Sequence, residues 1–282
     1  MLTETDPRVS AYINLYAVLG TLPLLCELVP EARDILAGGP TAPRTGVSQP
    51  ARSALTPTCI RFVVPGGPRD DYTFTPTGVH RGRALGVPLV ILAFTSVTHF
   101  NRVIDGTAQP IPLGTPHRLR FLTGVFSPLT DLLARYLKPN SEDLADPEFQ
   151  AVSTRLTLHV AAAAIAQVAN EDRSGRFSAH HIPDGDVALE VTGAVAYHLR
   201  FRDHRATFVA EAASSPRGIL TFSDLDVAGG ILSGDISAIA CISDGRLAMR
   251  GFISMVDNVN RILDRVGHYL TPQDVTPKEV TA

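Results

Sequence analysis

The chain has 282 residues, 45% of them hydrophobic and 19% charged, enough for one large domain or two ordinary ones with a sizeable core. A formal net charge of −3 and the lack of any basic run argue against a general nucleic-acid binder and against a polybasic membrane patch. Cys26, Cys59 and Cys241 are far apart and form no CxxC or zinc-like spacing, so they read as reduced, buried thiols in a cytoplasmic protein, with no metal and no cofactor expected.

The first residues carry acids and no apolar signal core. Residues 8–36 read as helical, because Tyr12, Leu15, Tyr16, Leu19, Leu22 and Leu25 recur at spacings of three and four. Pro23 predicts a break into two shorter helices, and Pro30 suits the start of a last piece, Glu31–Leu36. Residues 37–57 are rich in Gly, Pro, Ser and Thr; they read as a linker, or as a lid over a pocket. Strands are expected at Ile60–Val64 and Tyr72–Thr75, and Val87–Phe94 is a further apolar run. Thr95–Ile104 suits a helix capped by Thr95 or Ser96 and ended by Asp105-Gly106. Thr107–Leu113 and His117–Leu122 read as strands, and Ser127–Leu137 as a helix with Pro128 at its first position.

Glu148–Asn170 reads as one long helix. Its most apolar part, Leu156–Val168, falls short of the about 20 apolar residues that cross a bilayer and contains His159, so a buried helix is expected and stable membrane insertion is not. Residues 172–176 read as a turn and Phe177–Gly185 as a loop carrying His180-His181. That loop is an ordered connection or, with Asp184 or Asp186, an acid–base pair. Strands follow at Val187–Val191, Ala196–Arg202 and Ala206–Glu211. Then come strand Gly218–Phe222, short helix Asp224–Leu232, strand Ile236–Ile242, turn Asp244-Gly245, strand Arg246–Gly251 and amphipathic helix Ser254–Tyr269. The tail 271–282 is polar. No GxSxG, HExxH, Walker or GxGxxG pattern occurs.

The two halves repeat each other. Ile91-Leu-Ala-Phe94 aligns with Ile219-Leu-Thr-Phe222, Asp105-Gly106 with Ser233-Gly234, and Arg118-Leu119 with Arg246-Leu247, all in one register without a gap. Both copies end in Tyr-Leu-x-Pro, at Tyr136 and Tyr269. This predicts two copies of one α+β unit, far longer than a solenoid repeat.

Gly245–Gly251 is similar to the Gly-Lys-Leu-x-x-x-Gly pattern of the sterol carrier protein 2-like family, with Arg246 in the lysine place. The strand–helix–strand order from Gly218 onward and the closing helix Ser254–Tyr269 extend the likeness, which covers about 58–138 and 187–270. The first half is more diverged, since Gly114–Phe121 lacks the tight Asp-Gly turn. The resemblance implies an α+β chain of two such domains, each a mostly antiparallel five-stranded sheet with helices on one face, joined by a long helix. The expected organisation is 1–57 as helical segment and loop, 58–147 as a diverged domain, 148–186 as connecting helix and loop, and 187–282 as a domain with an apolar pocket. The family's members carry fatty acyl chains, sterols or similar lipids.

The expected function is therefore binding or carriage of a hydrophobic small molecule, an acyl chain, sterol or polyketide-like body. A cofactor-free cyclase or isomerase and a structural or interaction module are the alternatives. The predicted pocket wall is Phe222, Ile231, Met249, Phe252, Met255 and Val259. Asp257, Asn258, Arg261 and His181 are the polar residues assigned to ligand orientation or acid–base work, with Asp257 and Arg261 also spaced for a surface ion pair. The partner is a small molecule, with a homodimer as an option and no nucleic acid.

Overall fold

The structure, a computed structural model, describes residues 5–38 and 55–270, with backbone only at 116–118. Most of the predicted linker or lid, and the tail, lie outside the described residues.

Each half contains a long helix, a short helix, a five-stranded mixed sheet and a closing helix. In the first half these are α1 (Pro7–Leu28), α2 (Pro30–Leu36), β1 (Thr58–Val63), β2 (Arg69–Thr75), β3 (Gly78–Arg81), β4 (Leu89–Ala93), α3 (Val97–Ile104), β5 (Ile111–Leu113) and α4 (116–137). In the second they are α5 (Pro147–Glu171), α6 (Arg173–His180), β6 (Gly185–Val191), β7 (Val195–Arg202), β8 (Arg205–Val209), β9 (Gly218–Phe222), α7 (Leu225–Ser233), α8 (Ala238–Asp244), β10 (Leu247–Gly251) and α9 (Ile253–Leu270). The strand orders match: β3-β2-β1-β4-β5 and β8-β7-β6-β9-β10. In both, the central pair (β1–β4, β6–β9) is parallel and the others antiparallel. The chain is thus α+β.

The repeat holds in the register that the sequence predicts as far as α3 and α7. Ser96 and Asp224 cap these helices in the same way, accepting from the backbone N–H groups of His99 and Val227. Beyond that the shared register fails. Residues 117–122 are helical, not a strand, because Pro116 sits in the first turn and the helix runs on through a wide turn at Leu122–Phe126. Residues 236–242 are not a strand either. Ser237 accepts from the Ala240 N–H, and Gly245 ends α8 in a left-handed conformation at φ 82°, so local capping overrides the alternating pattern. Residues 173–180 form a helix rather than a turn and loop, with Asp172 accepting from the N–H groups of Ser174 and Gly175.

Pro23 does not break α1. A wide turn at Asn14–Val18 and a tight one at Leu19–Thr21 shift the pairing, so that the Leu22 N–H takes the Leu19 carbonyl that proline cannot bond. The repeat also reaches further back than the sheets. Both α1 and α5 start at an Asp-Pro, with Asp6 and Asp146 as caps. Helix α5 is at once the counterpart of α1 and the element shared by both halves. Its Leu156 joins the first core, while Val9, Ile13 and Ala17 of α1 join the second. By length and composition α1 and α5 are apolar enough to cross a membrane, with 56% and 72% of the relevant windows buried in the protein. The helix extends on both sides of Leu156–Val168, and that segment is buried as expected.

In each half the helices cover one sheet face. Ile60, Phe62, Tyr72, Phe74 and Leu92 fill the first core, and Val187, Leu189, Tyr197, Leu199, Phe201, Leu220 and Phe222 the second. The other faces are polar. Arg61 and Asp71 pair across β1 and β2 at 2.7 Å, and Asp186, His198 and Arg200 cluster on β6 and β7.

Candidate functional site

Five of the six residues predicted to wall a pocket fall on the helix-covered side of the second sheet. Phe222, Met255 and Val259 are buried in one apolar cluster, and Ile231 packs against it. Met249 stands opposite Leu220, so it shares the covered face, but β10 is the sheet edge and Met249 is 36% exposed. Phe252 is 46% exposed, with the Arg217 guanidinium 5.4 Å over its ring. Ile239, Ile242 and Ile253 are exposed beside them in sequence.

The four polar residues assigned to chemistry are not brought together. Asp257 and Arg261 form an exposed ion pair along α9 at 3.1 Å, and the Asn258 amide donates to the Ser254 carbonyl at 2.9 Å. His181 ends α6, with its Nδ1 2.8 Å from the Phe177 carbonyl. No His181–Asp pair forms: Asp184 accepts from the Asp203 N–H, and Asp186 lies on the outer sheet face with Arg200.

A different set of polar groups stands out inside the second half. Arg155 and His159 lie one turn apart on α5, the first just before its apolar run Leu156–Val168 and the second within it. The His159 ring stands edge-on to Tyr197 of β7 and Phe208 of β8, with centroids 5.4 and 4.8 Å away. His159 is 9% exposed. Among the described residues, neither its Nδ1 nor the Arg155 Nε, both buried, has a hydrogen-bond partner. Such atoms are rare in a folded protein, because each forfeits its hydration without compensation. Burial pulls the His159 pKa down to about 4, so the ring is neutral at pH 7. Burial likewise pushes Tyr197 up to about 12; the Glu27 carboxylate adds to this and the Arg155 guanidinium opposes it. Glu27, on α1, is exposed, so the cluster lies where the two halves meet and approaches solvent there.

The corresponding place in the first half holds an ion pair. There Leu92 stands beside Phe62 and Phe62 beside Asp70; in the second half Leu220 stands beside Leu189 and Leu189 beside Tyr197. Tyr197 thus takes the position of Asp70, and by the same ladders Phe208 takes that of Arg81. Asp70 and Arg81 make an ion pair, Arg81 lies 4.5 Å over the Tyr16 ring, and the Tyr16 hydroxyl donates to the Arg69 carbonyl. The second half has a cation from α5 in this region but no carboxylate at the position of Asp70.

Part of the chain is similar to two solved structures. A UbiJ-SCP2 ubiquinone synthesis protein matches 39% of this chain and 95% of its own, at 16% identity and a TM-score of 0.31. Sterol carrier protein 2 like 2 from Aedes aegypti matches 38% of this chain and 96% of its own, at 12% identity and a TM-score of 0.28. No family model and no curated protein matches the chain.

A recess of about 390 Å³ lies elsewhere, lined by Arg135, Asn140, Glu142, Asp143, Asp146 and Phe149. Its main charges are engaged: Arg135 pairs with Asp143 at 2.6 Å, and Asp146 caps α5. The signal for the buried cluster is present in the sequence. A cation and a histidine four residues apart on one face of an otherwise apolar helix mark a polar spot in a core.

Proposed function

We propose that the second half binds a hydrophobic small molecule, an acyl chain, sterol or polyketide-like body, between the β6–β10 sheet and helices α5, α7 and α9. The observation that carries this reading is the pair of buried polar atoms without partners, Arg155 Nε and His159 Nδ1, set among Tyr197, Phe208 and aliphatic side chains. Small-molecule sites combine apolar walls with a few unspent polar groups in this way. Phe222, Ile231, Met255 and Val259 supply the inner wall, while Met249 and Phe252 form an exposed apolar rim at the sheet edge. Native mass spectrometry of the purified protein, with solvent extraction, is expected to reveal a co-purifying apolar molecule. Displacement of an apolar fluorescent probe should weaken when Met249 and Phe252 are replaced by arginine. A protein that carries no such molecule and binds no acyl chain or sterol analogue refutes the reading.

A second reading, a cofactor-free cyclase or isomerase, is favoured by the neutral His159 with its unbonded Nδ1. A neutral imidazole in an apolar site can accept a proton from an oriented substrate. Conversion of a bound substrate to an isomer, lost in His159→Gln with binding retained, separates this reading from carriage.

A further inference from the structure

We propose that the chain forms a two-fold homodimer in which the free edge of β10 pairs with the same edge of a second copy, so that one continuous sheet runs through both second halves. The proposal is independent of the ligand reading above, because it uses the backbone of β10 and the outer sheet face. An open strand edge offers unpaired N–H and C=O groups to any strand that reaches it, and folded proteins block such edges. Three of the four sheet edges among the described residues are blocked. Strand β3 is short and packs against α1. Strand β5 carries Pro112, which has no N–H to give. The Ala206 N–H and carbonyl of β8 are both taken by the Asn170 side chain, at 2.9 and 2.8 Å. Strand β10 has no proline, and its outward backbone groups have no hydrogen-bond partner among the described residues.

The geometry of β10 selects a second copy in one register. The Ser223 N–H donates to the Arg246 carbonyl and the Phe252 N–H to the Arg217 carbonyl, so the even-numbered residues of this strand bond toward β9. Leu247 and Met249 alternate with them and turn N–H and C=O outward. A two-fold axis at Met249 lets both Met249 residues exchange hydrogen bonds and pairs all five residues of Leu247–Gly251. It also sets Arg250 opposite the small Ala248 of the second copy. An axis at Ala248 would set Arg246 against Arg250, and one at Arg250 would set that residue against itself, like charges face to face. An axis at Leu247 would run Met249 into the Gly245 turn. Exposed apolar side chains lie along the same rim. Met249, Ile239 and Ile242 of α8, which packs against β10, and Phe252 and Ile253 beyond its end are between 36% and 78% exposed. Together they show roughly 500 Å² per copy, a large patch for a monomer. Two such patches with the strand backbone approach the roughly 1,200 Å² at which specific interfaces begin.

Sedimentation velocity of the full chain tests this. The wild type is expected to pass from the mass of one chain to that of two between about 1 and 100 μM, as interfaces of modest area do. Ala248 lies on the outer face, so its charge can be changed without touching the helix-covered side. Ala248→Arg sets two pairs of arginines face to face and is expected to weaken the dimer about tenfold, while Ala248→Glu is expected to tighten it about tenfold. Ala248→Arg combined with Arg250→Glu restores opposite charges in both pairs and is expected to return the affinity to within about threefold of the wild type. The Met249 amide of the wild type is expected to exchange its hydrogen more slowly at about 100 μM than at about 1 μM. A wild type that keeps the mass of one chain at about 100 μM overturns the proposal, whether a different protein or another segment of this chain then proves to cover β10. A dimer indifferent to Ala248→Arg, or not restored by the double variant, also overturns it. Where Ala248→Arg fails to fold, Ala248→Glu and the Met249 exchange decide.

Discussion

Replacing His159 by Phe should make the protein resist acid, and the size of the effect follows from where the ring sits. In the folded chain burial pulls the His159 pKa to about 4, against an ordinary value of 6.5. Below pH 6.5 the unfolded chain takes up a proton there that the folded chain refuses. Stability therefore falls as pH drops through 6.5 and levels off near 4. The slope approaches about 1.4 kcal/mol per pH unit, and the whole window is worth about 3 kcal/mol. Phe keeps the edge-on contacts with Tyr197 and Phe208 and removes the unbonded Nδ1, which is worth about 1 kcal/mol at any pH. The variant is thus expected to be about 1 kcal/mol more stable at pH 8 and about 4 kcal/mol more stable at pH 4. Urea unfolding of both proteins, at half-unit steps from pH 8 to 4, measures the difference. Asp172 and Asp186, whose carboxyls lie below their ordinary range, titrate in both proteins and cancel. A difference that stays flat over the whole pH range would refute the claim that this ring is buried without a proton.

Three other outcomes follow from local geometry. Asp172 caps α6 through Oδ1, and its Oδ2 accepts from Tyr269 at 2.7 Å and Arg265 at 3.3 Å on α9. Asp172→Ala should cost about 3 kcal/mol and raise hydrogen exchange in α9 more than in α5. A Cβ on Gly175 would come within 2.1 Å of the Val168 carbonyl oxygen, whereas one on Gly229 would meet only the Thr154 side chain, at 2.8 Å. Gly175→Ala is therefore expected to lose about 3 kcal/mol or more and Gly229→Ala about 1 kcal/mol, with chemical denaturation as the check. Asp257→Ala and Arg261→Ala should each move stability by less than about 0.5 kcal/mol, because that pair is exposed, and should leave binding of an apolar fluorescent probe unchanged. A binding defect in either would return α9's outer face to the site.

Much of the fold was legible in the chain. Alternation in Tyr72–Thr75 and Ala196–Arg202, and the three-and-four spacing in 148–170 and 254–269, state local geometry directly, and the structure has strands and helices there. The repeat was readable through Phe94 and Phe222 because the same cap and glycine end follow each. Segments 117–122 and 236–242 misled because a short apolar run fits a strand or a helix equally well. There Pro116, Ser237 and Gly245 decide, through backbone groups that apolar spacing does not register.

The site divides in the same way. The sequence by itself determined that the second half has an apolar interior, and that α5 carries a histidine within its apolar stretch and an arginine just before it. It also determined the exposed Asp257–Arg261 spacing. Only the tertiary structure decided that Tyr197 and Phe208 close on His159, and that Arg155 Nε and His159 Nδ1 find no partner among the described residues. It alone sets Tyr197 in the second sheet where Asp70 stands in the first. The physical reason is that strand register and helix packing are long-range. Whether a polar side chain is satisfied depends on partners brought from other elements, and no local pattern around Arg155 or His159 encodes them.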